Sequence, residues 1–375
     1  MLSLFSIILG LLATFYILIL GTLIIGLYRL GQGNSPNQPF VTVVIAARNE
    51  EANIGSCLQS MDLQNYPREK HEIIIVDDRS EDDTAAIALR FVETDSRFRL
   101  LNVKELNPGM APKKWALHQG IEQARGEIVM VTDADCIVKP GWIASMVRFF
   151  EDRIGLVAGF SPLNRSFSGS LFHRLITLDG LALAGVAAGS FGAGFPLTCN
   201  GRNLAYRKSA YEEAGGFRSI GRFISGDDDL FLHQVREKTQ WKMAYCIDRE
   251  SIVSSNPPAR FIDFFHQRTR HASKGRHYPW VLTIGLIVTY LFNLMLLIAL
   301  FFPGLWFLFV ILFGGKSLFE FLLVSKTARL FEQKQVLPLF PIGMLIHVFY
   351  VVFFGFWGQV GRFRWKDEKF TSTIK

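Results

Sequence analysis

Hydrophobic positions gather at the two ends of the chain and alternate with polar ones in the middle. Residues 2–27 carry no charged side chain, a length that crosses a hydrocarbon core needing about 20 apolar residues. They predict a transmembrane anchor over 1–28. No basic start precedes the run and no small-residue cleavage site follows it, so an uncleaved anchor is expected in place of a signal peptide. A second apolar run covers 280–313, broken at Pro303-Gly304 and continuing through Val324; a third covers 336–357. These predict two to three transmembrane helices within 280–361.

Between the ends the periodicity is that of a soluble α/β protein. After a linker over 29–39 rich in Gly, Asn, Gln and Pro, residues 40–47 form a β-branched run, and 50–61 follow with apolar positions at Ile54, Leu58 and Met61. Strand then helix is the reading. It repeats as strand 72–76, helix 82–92, strand 98–103, helix 112–124 and strand 127–132. Such alternation predicts a mostly parallel central sheet covered by helices, in a domain over 40–250. Residues 251–279 read as an interfacial amphipathic segment and 362–375 as a basic tail.

Charge orients this plan. The net charge of +7 over 375 residues collects beside the apolar runs: Arg29 follows the first, and Arg260, Arg268, Arg270, Lys274 and Arg276 precede the second. The positive-inside rule then puts the central domain in the cytoplasm. Three spans after it would leave Arg362, Arg364 and Lys366 outside, so either one apolar segment fails to cross or the rule is broken. No nucleic-acid recognition motif accompanies the basic residues. Cys57, Cys136, Cys199 and Cys246 are scattered without metal-ligand or disulfide-framework spacing.

In parallel sheets ligands sit beyond the carboxyl ends of the strands. Those ends read Ala46-Ala47-Arg48-Asn49-Glu50, Asp77-Asp78-Arg79-Ser80 and Asp133-Ala134-Asp135. The first turn has no glycine, which excludes a dinucleotide fingerprint. Gly315-Lys316-Ser317 lacks the earlier glycine of a P-loop, since position 310 is Val310, and reads as a break between membrane segments. Asp133 and Asp135 end a buried strand, where paired acids are costly without a cation or donors. Hard oxygen ligands there suit Mn²⁺ or Mg²⁺ bridging a diphosphate. The competing reading is an Asp capping a helix near Pro140.

These motifs, with Lys113-x-x-Ala116-Leu117, Gly201-x-Asn203, Gly215-Gly216-Phe217 and Gly226-Asp227-Asp228-Asp229-Leu230, resemble the ordered signatures of family 2 glycosyltransferases with the GT-A fold, across nearly all of 40–275. The resemblance implies that Ala47, Glu50 and Asp78 hold the nucleoside, usually uridine, that Asp133 and Asp135 hold diphosphate and metal, and that Lys113 lies near the donor. Each has a plainer reading: a helix-capping acid for Glu50, an Asx turn for Asp78, a solvated charge for Lys113. Asp227 aligns with the family's general base and Asp228 is the alternative, though acids at a helix start also suit its dipole. Gln267-Arg268-Thr269-Arg270-His271 resembles the Gln-x-x-Arg-Trp motif of processive synthases, with His271 replacing the tryptophan on which an acceptor sugar would stack. An interfacial helix against anionic lipid is the other reading of that segment.

Residues 175–197 are nearly uncharged apart from Asp179. A crossing there would part Asp135 from Asp227, so a small-residue-rich helix and loop, buried or at the membrane surface, is expected. The chain is thus expected to be an integral membrane enzyme, in a bacterial inner membrane with its catalytic domain cytoplasmic. It would be an inverting glycosyltransferase moving a sugar from a nucleotide-sugar donor, a UDP-sugar foremost, to a lipid or lipid-linked glycan acceptor, with Mn²⁺ or Mg²⁺ and without a nucleic-acid partner. A processive polysaccharide synthase of the cellulose or hyaluronan type is the alternative, followed by a non-catalytic membrane scaffold. A transporter is disfavoured, because the spans hold few charges and no repeat.

Overall fold

The computed structural model describes residues 2–163, 170–365 and 368–370, and the chain divides into two compact units. One holds Gly31–Arg165 and Thr198–Pro257. The other holds Met1–Leu30, Ser166–Leu197 and Pro258–Ser372, and so includes helices α1 (Leu2–Arg29) and α6 (Leu171–Gly192). The stretch read as one domain over 40–250 is therefore interrupted: its residues 170–197 cluster with the long helices. Of the tail over 362–375, residues 366–367 and 371–375 fall outside the described residues.

The first unit is built on a seven-stranded sheet of order β3-β2-β1-β4-β7-β6-β8. Strands β1 (Val41–Ala47), β2 (His71–Asp77), β3 (Phe98–Asn102) and β4 (Ile128–Asp133) are parallel. β1 and β2 are buried almost throughout, which is why they read as unbroken Val and Ile runs. Helices α2 (Ile54–Asp62), α3 (Thr84–Thr94) and α4 (Pro112–Glu122) connect them. α4 lies so close that a Cβ on Gly120 would come 2.5 Å from Val44 and 2.9 Å from Val76. The short strand β5 (Cys136–Ile137) and helix α5 (Trp142–Val147) follow.

The far half of the sheet was not legible as strands. Its members are β6 (Ile154–Gly159), β7 (Leu204–Arg207) and β8 (Lys242–Cys246), with β7 antiparallel to both β4 and β6. Helices α7 (Lys208–Glu213) and α8 (Asp229–Lys238) pack beside them, and β9 (Ser254–Ser255) pairs with β5. α2 begins later than the pattern from Glu50 suggested. Asn49 takes a left-handed φ of 52°, and the N–H groups of Asn49, Glu50 and Glu51 donate to Ser80, Thr84 and Asp82. The loop after β2 thereby holds the loop after β1.

The second unit adds α9 (Phe261–Ala272), α10 (Trp280–Ala299), α11 (Trp306–Leu330), α12 (Phe340–Val360) and a hairpin of β10 (Phe363–Trp365) with β11 (Glu368–Phe370). The expected break at Pro303-Gly304 is a turn over Pro303–Leu305. Gly315-Lys316-Ser317 is not a break, contrary to the sequence reading, but lies inside α11. Lys316 Nζ donates to both carboxylate oxygens of Glu320 one turn on, at 2.8 Å, so the helix carries the charge without interruption. α6 meets α1 at Leu23 and Gly26, α11 at Leu323 and Thr327, and α12 at Gly343. These positions lie near the ends of those helices, and Gly189 and Gly192 set its backbone directly on that of Gly26.

Candidate active site

Register puts the predicted strand ends side by side. Ala47 pairs with Asp77 and Ala46 with Asp133, and Asp78 N–H donates to the Ala47 carbonyl at 2.8 Å. Asp78 is buried, and Arg79, itself at a left-handed φ of 58°, clamps its Oδ1 from Nε at 2.9 Å and Nη2 at 2.8 Å. The Asx-type contact belongs instead to Asp77, whose Oδ2 accepts from Ser80 N–H at 3.4 Å. Glu50 meets the start of α2 through Asn53, the N-cap of that helix. The Glu50 carbonyl accepts from the N–H groups of Asn53 and Ile54, and its Oε2 accepts from Asn53 Nδ2 at 2.9 Å.

Lys113 is no solvated charge. From the first turn of α4 its Nζ lies 2.8 Å from Asp133 Oδ1 and 2.9 Å from Asp227 Oδ2, joining the acid at the end of β4 to the acid before α8. These two carboxylates hold the Lys113 ammonium well above the usual lysine range, against the effect of burial. Burial alone would push the Asp227 carboxyl up; Lys113 foremost, with Lys114, keeps it below the usual carboxylate range despite neighbouring Asp228. Asp228 is committed to the backbone. Its Oδ1 accepts from Asp229 N–H at 2.7 Å and its Oδ2 from Gly201 N–H at 3.2 Å, so it caps α8 and ties down the Gly201 loop.

Asp135 points the other way chemically. Burial first and the Asp133 charge second push its carboxyl up, while Arg202 opposes them and Ser255 Oγ donates to Oδ2 at 3.0 Å. Two neighbouring carboxylates whose charge the protein only partly compensates suit a hard cation. Among the described residues no group of three His, Cys, Asp or Glu side chains forms a metal cage. A divalent ion there would complete its shell from phosphate and water, as magnesium-type sites do.

Three contributors escaped the sequence reading. Lys114 is buried and donates to the carbonyls of Phe223 at 2.6 Å and Ser225 at 2.8 Å, fixing the loop that delivers Asp227. Arg202, the middle residue of Gly201-x-Asn203, faces Asp135; Ser255 reaches it from β9. The doubled lysine at the start of α4 was the visible signal for the first. Gly201 leaves room for the base candidate, since a Cβ would come 3.2 Å from Asp227 Oδ2 and the carboxylate would have to give by a few tenths of an ångström. Asn203 is structural: it accepts from Trp142 Nε1 at 2.9 Å and donates to the carbonyls of Phe160 and Ser251.

Gln267, Arg268 and Arg270 lie on α9, in the unit of long helices. There Arg268 is buried, ion-paired with Asp179, and set over the Phe264 ring at 5.1 Å. His271 is exposed.

Known proteins resemble the chain in sequence and in fold. The model of glycosyl transferase family 2 matches residues 42–214, from β1 through α7. The "probable glycosyltransferase" YdaM of Bacillus subtilis is 29% identical over 253 residues, covering 65% of this chain and 57% of that protein. The beta-monoglucosyldiacylglycerol synthase of Synechocystis sp. is 27% identical over 267 residues, covering 68% of this chain and 52% of that protein. The chain thus spans little more than half the length of these two relatives. The mannosyltransferase PcManGT of Pyrobaculum calidifontis, solved with GDP-Man and Mn²⁺, superposes with a TM-score of 0.56 at 17% identity, covering 94% of this chain and 96% of that one. At that identity the likeness shows the fold, which is GT-A. With the family model spanning the strands whose ends carry Asp78, Asp133 and Asp135, residues 42–214 form a glycosyl transferase family 2 domain.

Proposed function

We propose that the chain is an inverting glycosyltransferase that moves a sugar from a nucleotide-sugar donor, a UDP-sugar foremost, onto a lipid or lipid-linked glycan acceptor at a membrane. The observation that carries this is the Lys113 bridge, which brings the strand-end acid Asp133 within one ammonium of the base candidate Asp227. Ala47, Glu50 and Asp78 receive the nucleoside. Asp133 and Asp135 would hold Mn²⁺ or Mg²⁺, which when bound would neutralise charge on the diphosphate. Asp227, ionised at neutral pH, takes the proton of the acceptor hydroxyl as its oxygen bonds to the anomeric carbon and the bond from that carbon to the diphosphate oxygen breaks. One displacement of this kind inverts the anomeric centre, and the nucleoside diphosphate leaves.

The lipid side of the reading rests on five helices long and apolar enough to cross a membrane and on the printed name of the Synechocystis relative. The basic residues beside those helices favour an inner membrane with the sheet unit facing the cytoplasm. The test is a panel of nucleotide sugars offered to the purified chain with membrane lipid extract as acceptor, read by mass spectrometry. A single-sugar glycolipid, lost on chelation of divalent ions, is expected. Long polymers would favour a processive synthase, and no metal-linked binding of any donor would leave a scaffold.

A further inference from the structure

Length and composition allow α1, α6, α10, α11 and α12 to cross a membrane, yet packing within the helical unit treats α12 differently from its neighbours. α1 runs along α11 in the same sense, with Tyr16 on Glu320 and Tyr28 under Lys326. α10 and α11 are joined through the turn at Pro303–Leu305, so the start of α10 and the end of α11 lie at one end of a hairpin. A helix that followed α11 and crossed back would finish beside Trp306, at the other end.

α12 does not finish there. Its first residue, Phe340, lies 5.2 Å from Phe321, and His347 Nδ1 lies 3.2 Å from Glu320. Further on, a Cβ on Gly355 would come 2.6 Å from the Tyr290 ring of α10. In the last turn Gly358 packs on Ala272, and Gln359 Nε2 donates to the Ala272 carbonyl at 2.9 Å. Ala272 ends α9, just ahead of α10. The helix therefore passes from the middle of α11, past the middle of α10, to the level where α10 begins, and its contacts lead away from the turn at Pro303–Leu305.

We propose that α12 does not span the membrane but lies along the leaflet at the end where α10 begins, as a docking surface for lipid acyl chains. The chain then returns to the side from which it entered α10. Leu345, Phe349, Phe353, Phe356 and Val360 form one exposed apolar stripe at helical spacing, while Val348, Phe354 and Gly358 on the opposite side are buried. Charge supplies a second, independent argument. Arg29 ends α1, Arg270 and Lys274 precede α10, Arg329 and Lys334 flank the end of α11, and Arg362 follows α12. With α12 in the leaflet all of them stand on one side, and the conflict raised by a third span after the sheet unit disappears.

The test compares two single cysteines in the full chain, each with Cys199→Ser to remove the native thiol that is not buried. Asp152→Cys reports an exposed position of the sheet unit and Arg362→Cys the residue after α12. An impermeant maleimide should label both from the same face of sealed vesicles, with detergent-solubilised protein as the measure of full labelling. Labelling from opposite faces overturns the proposal. Because Arg362→Cys removes a positive charge, paired fusions after Lys375 keep it in place: green fluorescent protein, which folds in the cytoplasm, and alkaline phosphatase, active only outside. They should report the face found for Asp152→Cys, and the other face would overturn the proposal. Since the readout is relative, an error in the cytoplasmic placement would move both reporters together and leave α12 judged separately.

Discussion

Two lysine–carboxylate clusters, one at the strand ends and one among the long helices, are built on opposite principles. At the strand ends Lys113 serves Asp133 and Asp227 while Asp135 and Asp228 stand near, so acid exceeds base, and the Lys113 side chain keeps 25% of its exposure and that of Asp133 33%. Among the helices a fully buried Lys316 is matched by one Glu320, with Tyr16 donating to that carboxylate at 2.6 Å and His347 closing the group. Charge inside a hydrocarbon layer is costly and is found paired. An excess of one sign persists only where water or a cation can reach it. A local imbalance of charge, and not its mere presence, therefore separates a place for a ligand from a lock between helices.

Replacing the proposed base should break the comparison hardest. Asp227→Asn is expected to lower turnover by about 10²–10⁴-fold, the usual contribution of a positioned base, with thermal unfolding little changed. Asp228→Asn should instead keep the cap, because the amide oxygen accepts the same bond, and change rate and stability far less. Nucleotide release assays paired with melting curves read both variants. A larger rate loss in Asp228→Asn would transfer the base role to it.

The helical cluster should answer in the opposite currency. Lys316→Met leaves Glu320 buried without its partner and is expected to cost about 3–5 kcal/mol of stability. Adding Glu320→Gln to it should recover most of that loss, and turnover per folded molecule should stay near that of the parent. Unfolding in detergent with an activity assay on the folded fraction decides. If Lys316→Met stays folded yet is inactive, the cluster is more than a lock.

Between these extremes lies Gly201→Ala, which tests how tightly the acid-rich pocket is held. The added Cβ would meet Asp227 Oδ2 at 3.2 Å, so the carboxylate must give by a few tenths of an ångström. Small displacements at a reacting centre are costly, up to about 10²-fold for 1 Å. A loss of roughly tenfold in turnover with unchanged donor affinity is expected; an unchanged rate would mean that the Asp227 position is not critical.

What could be read in the sequence follows the same division. The first four strands and their acids were legible because parallel strands buried on both faces leave Val/Ile runs, and the polar residues that interrupt them stand at the ligand end. The far half of the sheet was not, because β7 joins antiparallel after a 44-residue excursion from Phe160 to Asn203 that includes α6. Lys113, which could be read as a donor contact or as a solvated charge, needed Asp227 brought from over a hundred positions away. Ser255 left no pattern, since a donor to a distant carboxylate has no fixed spacing. In the helical unit, hydropathy gave the apolar segments but not their directions, so Lys316 looked like an interruption until Glu320 and Tyr16 were seen around it.

A third cluster lies in the sheet unit but is balanced like the one among the helices. Glu72 is fully buried at the start of β2. Thr42 Oγ1 donates to it at 2.8 Å, Arg125 N–H at 2.9 Å and Arg125 Nε at 2.8 Å. Burial works to raise its carboxyl, and the bonds from Arg125 and Thr42 outweigh it and hold the group below the usual glutamate range. A carboxylate depressed on folding stabilises the native state above the unfolded pKa, about 4.3, and loses that contribution as pH falls through the lower folded value. Because Arg125 is largely exposed and screened, Glu72→Gln should cost about 1.5 kcal/mol, the low end for a hydrogen bond to a charged group. In urea titrations the gap between parent and variant should stay constant from about pH 7 to about pH 5 and close under stronger acid. A gap that widens on acidification would mean that Glu72 is protonated in the native sheet, and that balance there is achieved without the ion pair.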